Sequence, residues 1–407
     1  MSSNSSLFES SISFTEKLAK PQGKVFDGFI SAINLEDQLK HFFDLSNIKT
    51  KITTDELIHL INSQIAYIDQ MLNEQVNAIM HHPRFQQLES SWRGLLFLTE
   101  EADEQDSIKI KLLDVSWGLL VKDLDRAIDF DQSNFFRKIY SAEFGTAGGE
   151  PYGVLLGDYQ IRHRPGPDHK TDDVAALRDI SQVASAAFVP FVTGVDPVLF
   201  GVDDFSGLGL PINYENLFSQ AEYLKWNAFR STDDSRFIGL TLPRVLMREP
   251  YDHDSYRSDR FCFTEDVSAP DSSGYLWGNG CYAFGAVLIK SFSNNAWFTD
   301  IRGCHDGADR GGVVRHLPVP SFKTDSVDVA LKYSTDVLIS DYSEKILSEY
   351  GFIPLCHSKD TKYAVFYGNQ SLQGAQTYDS DIAQINAKIS AMLQYMFCVS
   401  RFAHYIK

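Results

Sequence analysis

The stretch HHPRFQQLESSWRGLLFLTE (residues 81–100) gathers two histidines, two arginines, two glutamates, two serines and a tryptophan into twenty positions. Residues of these types can bind a metal or move protons. A shared metal would need both His81 and His82 aimed at one ion, yet neighbours on a helix project about 100° apart. No HExxH pattern follows, and histidines just before Pro83 suit a helix C-terminus, where they face the negative end of its dipole. Two Cys-His dipeptides, Cys304-His305 and Cys356-His357, would together supply a Cys2His2 zinc set. They define the one enzyme alternative, a metal-dependent soluble enzyme. Against it, the two are far apart in the chain and neither belongs to a CxxC or HxxxH knuckle. GFIPLC around Cys356 is also an apolar, strand-like context in which a thiol belongs to the core. EFGTAGGEPYG (143–153) and CHDGADRGG (304–312) lack the spacing of a phosphate loop or a dinucleotide fingerprint. Gly148-Gly149 before Glu150-Pro151 predicts a turn into a strand. Asp172-Asp173 fits a helix N-terminus, where carboxylates cap amides, and Asp233-Asp234 fits a turn. No GxSxG elbow is present. These residues point away from catalysis, metal and cofactor.

The elements that would position them come from composition and pattern. The chain has 407 residues, 43% hydrophobic and 13% aromatic, enough for two or three domains with a substantial core. Its net charge of −17 disfavours nucleic acid and anionic membrane as partners. The most apolar window, VASAAFVPFVTGVDPVLFGV (183–202), is interrupted by Pro190, Asp196 and Pro197, and reads as buried core rather than a membrane span. MSSNSSLFES has no basic start and no apolar run, so no secretory signal is expected. Five widely spaced cysteines (Cys262, Cys281, Cys304, Cys356, Cys398) fit reduced thiols in a cytoplasmic protein.

Residues 1–50 read as an arm with short helices. The first strong helix opens at TTDEL, where Thr53 and Glu56 form a capping box. Leu57, Ile61, Ile65, Ile68, Leu72, Val76 and Ile79 make one apolar stripe along it. After Pro83 a second helix carries Phe85, Leu88, Trp92, Leu95 and Phe97 or Leu98 inward. In it Glu89 pairs with Arg93 one turn on, and Gly94 allows another element to pack close. SIKIKLLDVSW (107–117) alternates and opens as a strand. YGVLLGDYQI (152–161) and RFIGLTLPRVLM (236–247) read as inner strands, and DVLISD and YAVFYG are further strands. Helices are expected over 172–187, 213–232 and 275–292. A final helix starts near Asp381, with Ile382, Ile385, Ile389, Leu393, Met396, Val399, Ala403 and Ile406 as its inner face. It reaches Lys407 without a stop signal. The fold class is therefore mixed α/β (α+β) with a central mixed sheet.

Several strings resemble the large sheath subunit of the bacterial type VI secretion system, the TssC/VipB family. They are HHPRFQQLESSWRGLLFL, FFRKIYSAEFGTAGGEPYGVLLGDYQI, DDSRFIGLTLPRVLMREPY, YLWGNGCYAF, FKTDSVDVALKYSTDVLISDYSEKILSEYGFIPLCH and LQYMFCVSRFAHYIK, in that order from residue 81 to the chain end. Phe85, Leu88, Glu89, Trp92, Arg93 and Gly94 carry the first signature. Gly148, Gly149, Glu150, Pro151, Tyr152 and Gly153 carry the second, and Trp277 and Gly278 belong to a third.

The resemblance implies a contractile tail-sheath-like fold and a structural, non-enzymatic role without cofactors. It implies pairing with a small sheath subunit (TssB/VipA-like) and stacking of such heterodimers around an inner tube (Hcp-like) on a membrane-anchored baseplate. It also implies contraction that delivers effectors, and recycling by a AAA+ ATPase (ClpV-like). Leu7, Phe8, Glu9 and Ile12 stand in the order of the family's ATPase-recognition segment, although the residues after them depart from it. The family runs on past the RFAHYIK-like string into strands that interlock neighbouring subunits, so this chain is expected to be a piece of a longer protein, lacking that tail and defective in polymerisation. The expected division is an arm (1–50), a helical pair with the first strand and helix (51–130), the main sheath region (131–360), and a strand with the last helix (361–407). Candidate faces for the partner are the Leu57–Ile79 stripe and Ile382, Ile385, Ile389 and Leu393. Burial of both within this chain is the open alternative.

Overall fold

The computed structural model describes residues 28, 30–45, 53–102, 108–251, 261, 263–267, 274–304, 310–319, 322–324, 327–329, 333–357, 363–374, 376 and 378–407. It divides into two compact units, Met1–Leu72 and Asn73–Lys407. The first holds α1 (Leu35–Leu45) and most of α2 (Thr54–Met80). At the start of α2 the capping box forms as read: Thr53 N–H donates to Glu56 Oε2 at 2.8 Å and Glu56 N–H to Thr53 Oγ1 at 3.4 Å.

In the second unit, α3 (Pro83–Ala102) and α4 (Trp117–Arg126) precede β1 (Leu155–Ile161), α5 (Asp173–Ala186), β2 (Phe191–Val195), β3 (Ile238–Leu242), β4 (Val245–Leu246), β5 (Trp277–Gly278) and α6 (Gly280–Asn295). Then come β6 (Val313–Arg315), β7 (Phe322–Thr324), β8 (Val327–Val329), α7 (Asp341–Glu349), β9 (Ile353–His357), β10 (Tyr363–Phe366), α8 (Asp381–Ser390) and α9 (Leu393–Ile406). A six-stranded mixed sheet has the order β1-β2-β3-β9-β10-β6, parallel from β1 to β9 and antiparallel beyond. β4 pairs with β5, and β7 with β8, in separate ribbons.

Side chains alternate across the sheet, and both faces are covered. Phe191, Val195, Ile238, Leu240 and Leu242 point to one side, where they meet Leu177 and Ile180 of α5 together with Tyr223, Trp226 and Phe352. Val192, Ile353, Leu355, Ala364 and Phe366 point to the other, against Phe284 and Val287 of α6 and Leu393 and Phe397 of α9. That is why FVTGV, IGLTL and IPLCH are buried at every position. Each such apolar side chain contributes about 1.5–3 kcal/mol. β1 carries a bulge between Gly157 and Gln160. Its carbonyls are satisfied from below: Thr193 Oγ1 donates to Gly157 O and Tyr159 O, and Asn279 Nδ2 to Tyr159 O. Asn279 also caps α6 by accepting from Cys281 N–H at 3.0 Å. Gly194 is required beneath it, because a Cβ there would stand 2.6 Å from Asn279 Oδ1. The expected carboxylate cap also forms, with Asp172 accepting from Ala175 N–H.

Several expected elements differ. Residues 108–116 alternate in sequence but form no strand, because no described backbone pairs with them. DVLISD is no strand either. It leads into α7, where Ser340 caps the helix by accepting from Ser343 N–H. The 213–232 helix is broken into Tyr214–Phe218, a single 3-10 turn at Ala221–Tyr223, and Leu224–Arg230. In a straight helix Tyr214 and Tyr223, nine residues apart, would face about 180° apart. The break lets both be buried with Phe218 and Trp226. Pro243 divides the 236–247 segment between β3 and β4. The final helix is two helices, because residues 369–371 capture the chain at Ala391–Leu393. Ser371 N–H and Oγ both donate to Ala391 O, and Leu393 N–H to Asn369 O.

Candidate functional site

The signature stretch 81–100 lies on α3, with its faces exchanged relative to expectation. Leu88 and Trp92 are 56% and 60% exposed, Phe85 is exposed and Leu95 half-buried, while Ser90, Gly94 and Leu98 face inward. Small residues decide this. A Cβ on Gly94 would overlap the Tyr282 ring of α6, and one on Gly285 of α6 would stand 2.9 Å from Leu98 Cδ2. The helices approach through the two glycines, so the bulky stripe turns outward. The close approach expected at Gly94 is therefore real; of the residues expected to face inward, Leu98 does, Leu95 is half-buried, and Phe85, Leu88 and Trp92 face out.

The polar residues of α3 build a buried ion cluster. Glu89 accepts from Arg93 Nε at 2.8 Å, the expected one-turn pair, and also from Arg248 Nε at 2.7 Å. Arg248 reaches both oxygens of Glu265, Nη2 to Oε1 at 2.9 Å, and stacks over the Tyr251 ring. Burial disfavours charge on Arg248, but its bonds to Glu265 and Glu89 outweigh that and hold its pKa above the ordinary value. For Glu89 burial likewise opposes charge, and Arg248 and Arg93 overcome it, so the carboxyl lies below its usual range. His81 Nε2 sits 3.5 Å from Glu265 Oε1. Two asparagines beside the cluster hold the same segment: Asn73 Oδ1 accepts from Thr264 N–H, and Asn77 Oδ1 from Asp266 N–H. Sequence reading found Glu89–Arg93 but missed Arg248 and Glu265, which stand 159 and 176 positions beyond Glu89 in the chain.

The glycine-rich stretch forms the turn that was read. Gly148 has φ +81°, a left-handed value that suits glycine, and a Cβ on Gly149 would overlap Glu143 O. Glu150 pairs with Lys109 and Glu143 with Lys111, and Lys111 lies 5.2 Å over the Tyr152 ring. Pro151 and Gly153 are half-buried, and Gly153 faces Phe298. Trp277 and Gly278 form β5 against β4, where a Cβ on Gly278 would overlap Met247.

An open groove of about 2010 Å³ runs beside β1. Its walls are α3 with Leu88 and Trp92, the extended 108–116 segment, the 150–160 stretch, and Trp277 with Tyr282. Within it Ser91 Oγ donates to Asp158 Oδ2 at 2.5 Å. Behind the lining residues Trp117, Arg162 and His169, Asp173 is buried and bonded to Trp117 Nε1, Arg162 N–H, Thr171 Oγ1 and His169 Nε2, a structural knot rather than a free acid.

The zinc alternative finds no support. Cys356 and His357 are successive strand residues and project to opposite faces. Cys356 is in the core, where burial pushes its thiol up to about 12, and His357 Nδ1 is 3.1 Å from Ser334 Oγ. Cys304 is exposed; His305 lies outside the described residues, as do Cys262 and the candidate ATPase-recognition residues Leu7, Phe8, Glu9 and Ile12. Among the described residues no three His, Cys, Asp or Glu side chains gather as a metal site.

The two candidate partner faces are placed as follows. On α2, Ile65, Ile68, Leu72 and Ile79 are exposed and Leu57, Ile61 and Val76 half-buried. On α8, Ile382, Ile385 and Ile389 are exposed, Ile382 by 74%, contrary to the inner face expected of them. Leu393 is the exception. It opens α9 and is fully buried over Gly239 and Phe397's neighbours, so it is removed from the candidate partner surface. No described helix is long and apolar enough to cross a membrane.

Comparison with known proteins accounts for this arrangement. The VipB family model (EvpB/VC_A0108, tail sheath N-terminal domain) matches residues 62–373. The companion model, the tail sheath gpW/gp25-like domain, matches residues 382–407. The type VI secretion system sheath protein TssC1 of Pseudomonas aeruginosa is 39% identical over 361 residues, covering 88% of this chain and 70% of the relative. A mixed α/β chain whose signature motifs serve packing, and which matches the sheath models over most of its length, belongs to the VipB/TssC family of type VI secretion sheath proteins.

Proposed function

We propose that the chain acts as the large subunit of a contractile sheath without catalytic chemistry of its own. In this reading it pairs with a small sheath subunit of the TssB/VipA kind, and the heterodimers stack around an Hcp-like inner tube on a baseplate at the cytoplasmic side of the membrane. Contraction would then be a shift between two packings of the same subunits, driven by free energy held in the extended form. A ClpV-like ATPase would recycle the contracted state. The four-segment division of the chain is kept as part of this proposal.

The observation that carries the reading is apolar surface that the described residues leave uncovered. Ile65 and Ile68 on α2, and Ile382, Ile385 and Ile389 on α8, lie open in rows. Rows of this kind mark interaction surfaces rather than chance exposure. The chemistry-bearing residues support the same conclusion, since Arg248, Glu265 and Asp173 are occupied by internal bonds. The test is co-expression of the full protein with its small-subunit partner, followed by negative-stain microscopy. Tubules or a soluble heterodimer are expected; a large chain that purifies alone, with neither, defeats the reading.

A further inference from the structure

We propose that the last turn of α9 is a pH-sensitive latch, closed over the C-terminal ends of two other helices near neutral pH and released on acidification. The two are α5 and the π-helix Arg137–Phe144. A helix leaves its last carbonyls without partners of its own, and a donor or cation placed there satisfies them. His404 Nε2 donates to Ala187 O, at the C-cap of α5, at 3.1 Å. A carbonyl only accepts, so the neutral ring carries its proton on Nε2. Lys407 Nζ donates to Glu143 O at 3.1 Å and to Thr146 O at 3.5 Å, at the end of the π-helix. One turn of α9 caps both.

The ring of Phe144 joins the two caps. It lies 5.6 Å from the His404 ring and 6.1 Å from that of Phe188, and Lys407 Nζ stands 4.7 Å over it. Phe188, next to Ala187, has φ +50°, a left-handed value uncommon for a bulky residue. The end of α5 therefore holds a backbone conformation that its surroundings must maintain.

The two halves of α9 are held differently. Leu393, Met396 and Phe397 sit in the core and dock the first half. Phe402, Tyr405 and Ile406 of the second half are exposed, although the Phe402 ring meets Trp297 at 5.1 Å. A turn with so few buried apolar contacts opens locally while the sheet stays folded. The proton supplies the trigger. Burial holds the pKa of His404 below the ordinary value, ahead of the opposing pull of its bond to Ala187, and the cations Arg401 and Lys407 add to the lowering. Other charged groups on the packed elements are Arg137, Lys138 and Glu143 of the π-helix, and Asp234 and Arg236 of the 3-10 turn before β3. Glu143 is taken by Lys111, and Arg236 by Asp233. The last turn of α5 adds no ionisable side chain. Well above pH ~6.5 the ring is neutral whether the turn is closed or open. As pH falls through that range the opened, hydrated ring takes the proton first, so acid favours opening.

The experiment is hydrogen exchange read by mass spectrometry on the full protein at pH 7.5 and 5.5, with rates corrected for the intrinsic effect of pH. Peptides covering 140–149 and 184–189 report on the two capped ends, and peptides covering β2 and β3 are the control. Protection of both reporters is expected to fall by about two- to tenfold at pH 5.5, the upper figure being what proton uptake near ~6.5 in the open state allows. The control is expected to hold. His404→Gln keeps a donor for Ala187 O but cannot titrate, and is expected to abolish the fall. Lys407→Met keeps an apolar side chain without the cation, and is expected to speed exchange at 140–149 by about two- to fivefold at both pH values. A smaller fall in the unsubstituted protein, an equal fall in the control, a fall that persists in His404→Gln, or unchanged exchange in Lys407→Met each overturns the latch.

Discussion

The sheet and the helices α2 and α8 are comparably rich in large aliphatic residues, yet they end in opposite environments. FVTGV and IGLTL are buried at every position. α8 has no buried residue, and its isoleucines face out. Apolar pattern reports a need for cover, and only the neighbours decide whether the same chain supplies it. In the sheet, α5, α6 and α9 do so. At α8 the described residues do not. An ion cluster reinforces the covered region: Arg248, Glu265 and Glu89 join α3 to the segments around residues 248 and 265.

This contrast can be broken in order of size. Arg248→Met leaves Glu265 and Glu89 buried without their cation and is expected to cost about 3–5 kcal/mol in chemical denaturation of the chain alone. A loss below 1 kcal/mol would mean that the cluster is solvated and the covered region is not what it stabilises. Leu393→Ala, in the core, is expected to cost about 2–5 kcal/mol. Ile385→Ala on α8 should change the stability of the isolated chain by no more than about 0.5 kcal/mol, while reducing co-purification with the small subunit. Equal costs at the two positions would erase the distinction between core and open face.

His163 sharpens the comparison by pH. It is buried, stacks on Tyr223 at 4.3 Å, and has Glu222 Oε1 at 3.7 Å with Arg164 nearby. Burial, ahead of the opposing pull of Glu222, lowers its pKa below the ordinary value. The unfolded chain therefore takes up the proton first, so stability falls as pH drops through the ordinary histidine range near ~6.5 and levels off below the folded pKa. His163→Phe keeps the ring stack and should flatten the melting temperature between pH 7.5 and 5.5; an unchanged slope would assign the pH dependence elsewhere. The smallest effect is expected at the groove rim, where Lys109 and Glu150 are exposed. Lys109→Gln should leave the melting temperature unchanged, so a clear drop would show that the 108–116 segment is held more tightly than its exposure implies.

The strands β1, β3, β9 and β10 and the helices α2, α5 and α6 could be read from apolar runs, caps and breakers, because those signals are local, whereas the window holding β2 was read only as buried core. The site was read only in part. Glu89–Arg93 is a one-turn pair and follows from helix geometry. Arg248 and Glu265 join it from distant positions, and nothing in their neighbourhoods marks them as partners. The direction of α3 was misread for a related reason: Phe85, Leu88, Trp92 and Leu95 are the apolar stripe, but Gly94 and Gly285 let the backbones of α3 and α6 meet, and that contact outweighs the stripe. Residues 108–116 alternate like a strand, and without a pairing backbone they are none.

By itself, the sequence determined where many of the helices and strands lie, that glycines at 94 and 148 serve close approach and a turn, and which family the motifs resemble, since each depends on residues near one another in the chain. Only the tertiary structure decided which apolar faces are covered, where Arg248 finds its carboxylates, and that the edge of β1 opens on a groove. Those outcomes depend on which distant segments come together, and no local pattern carries that information.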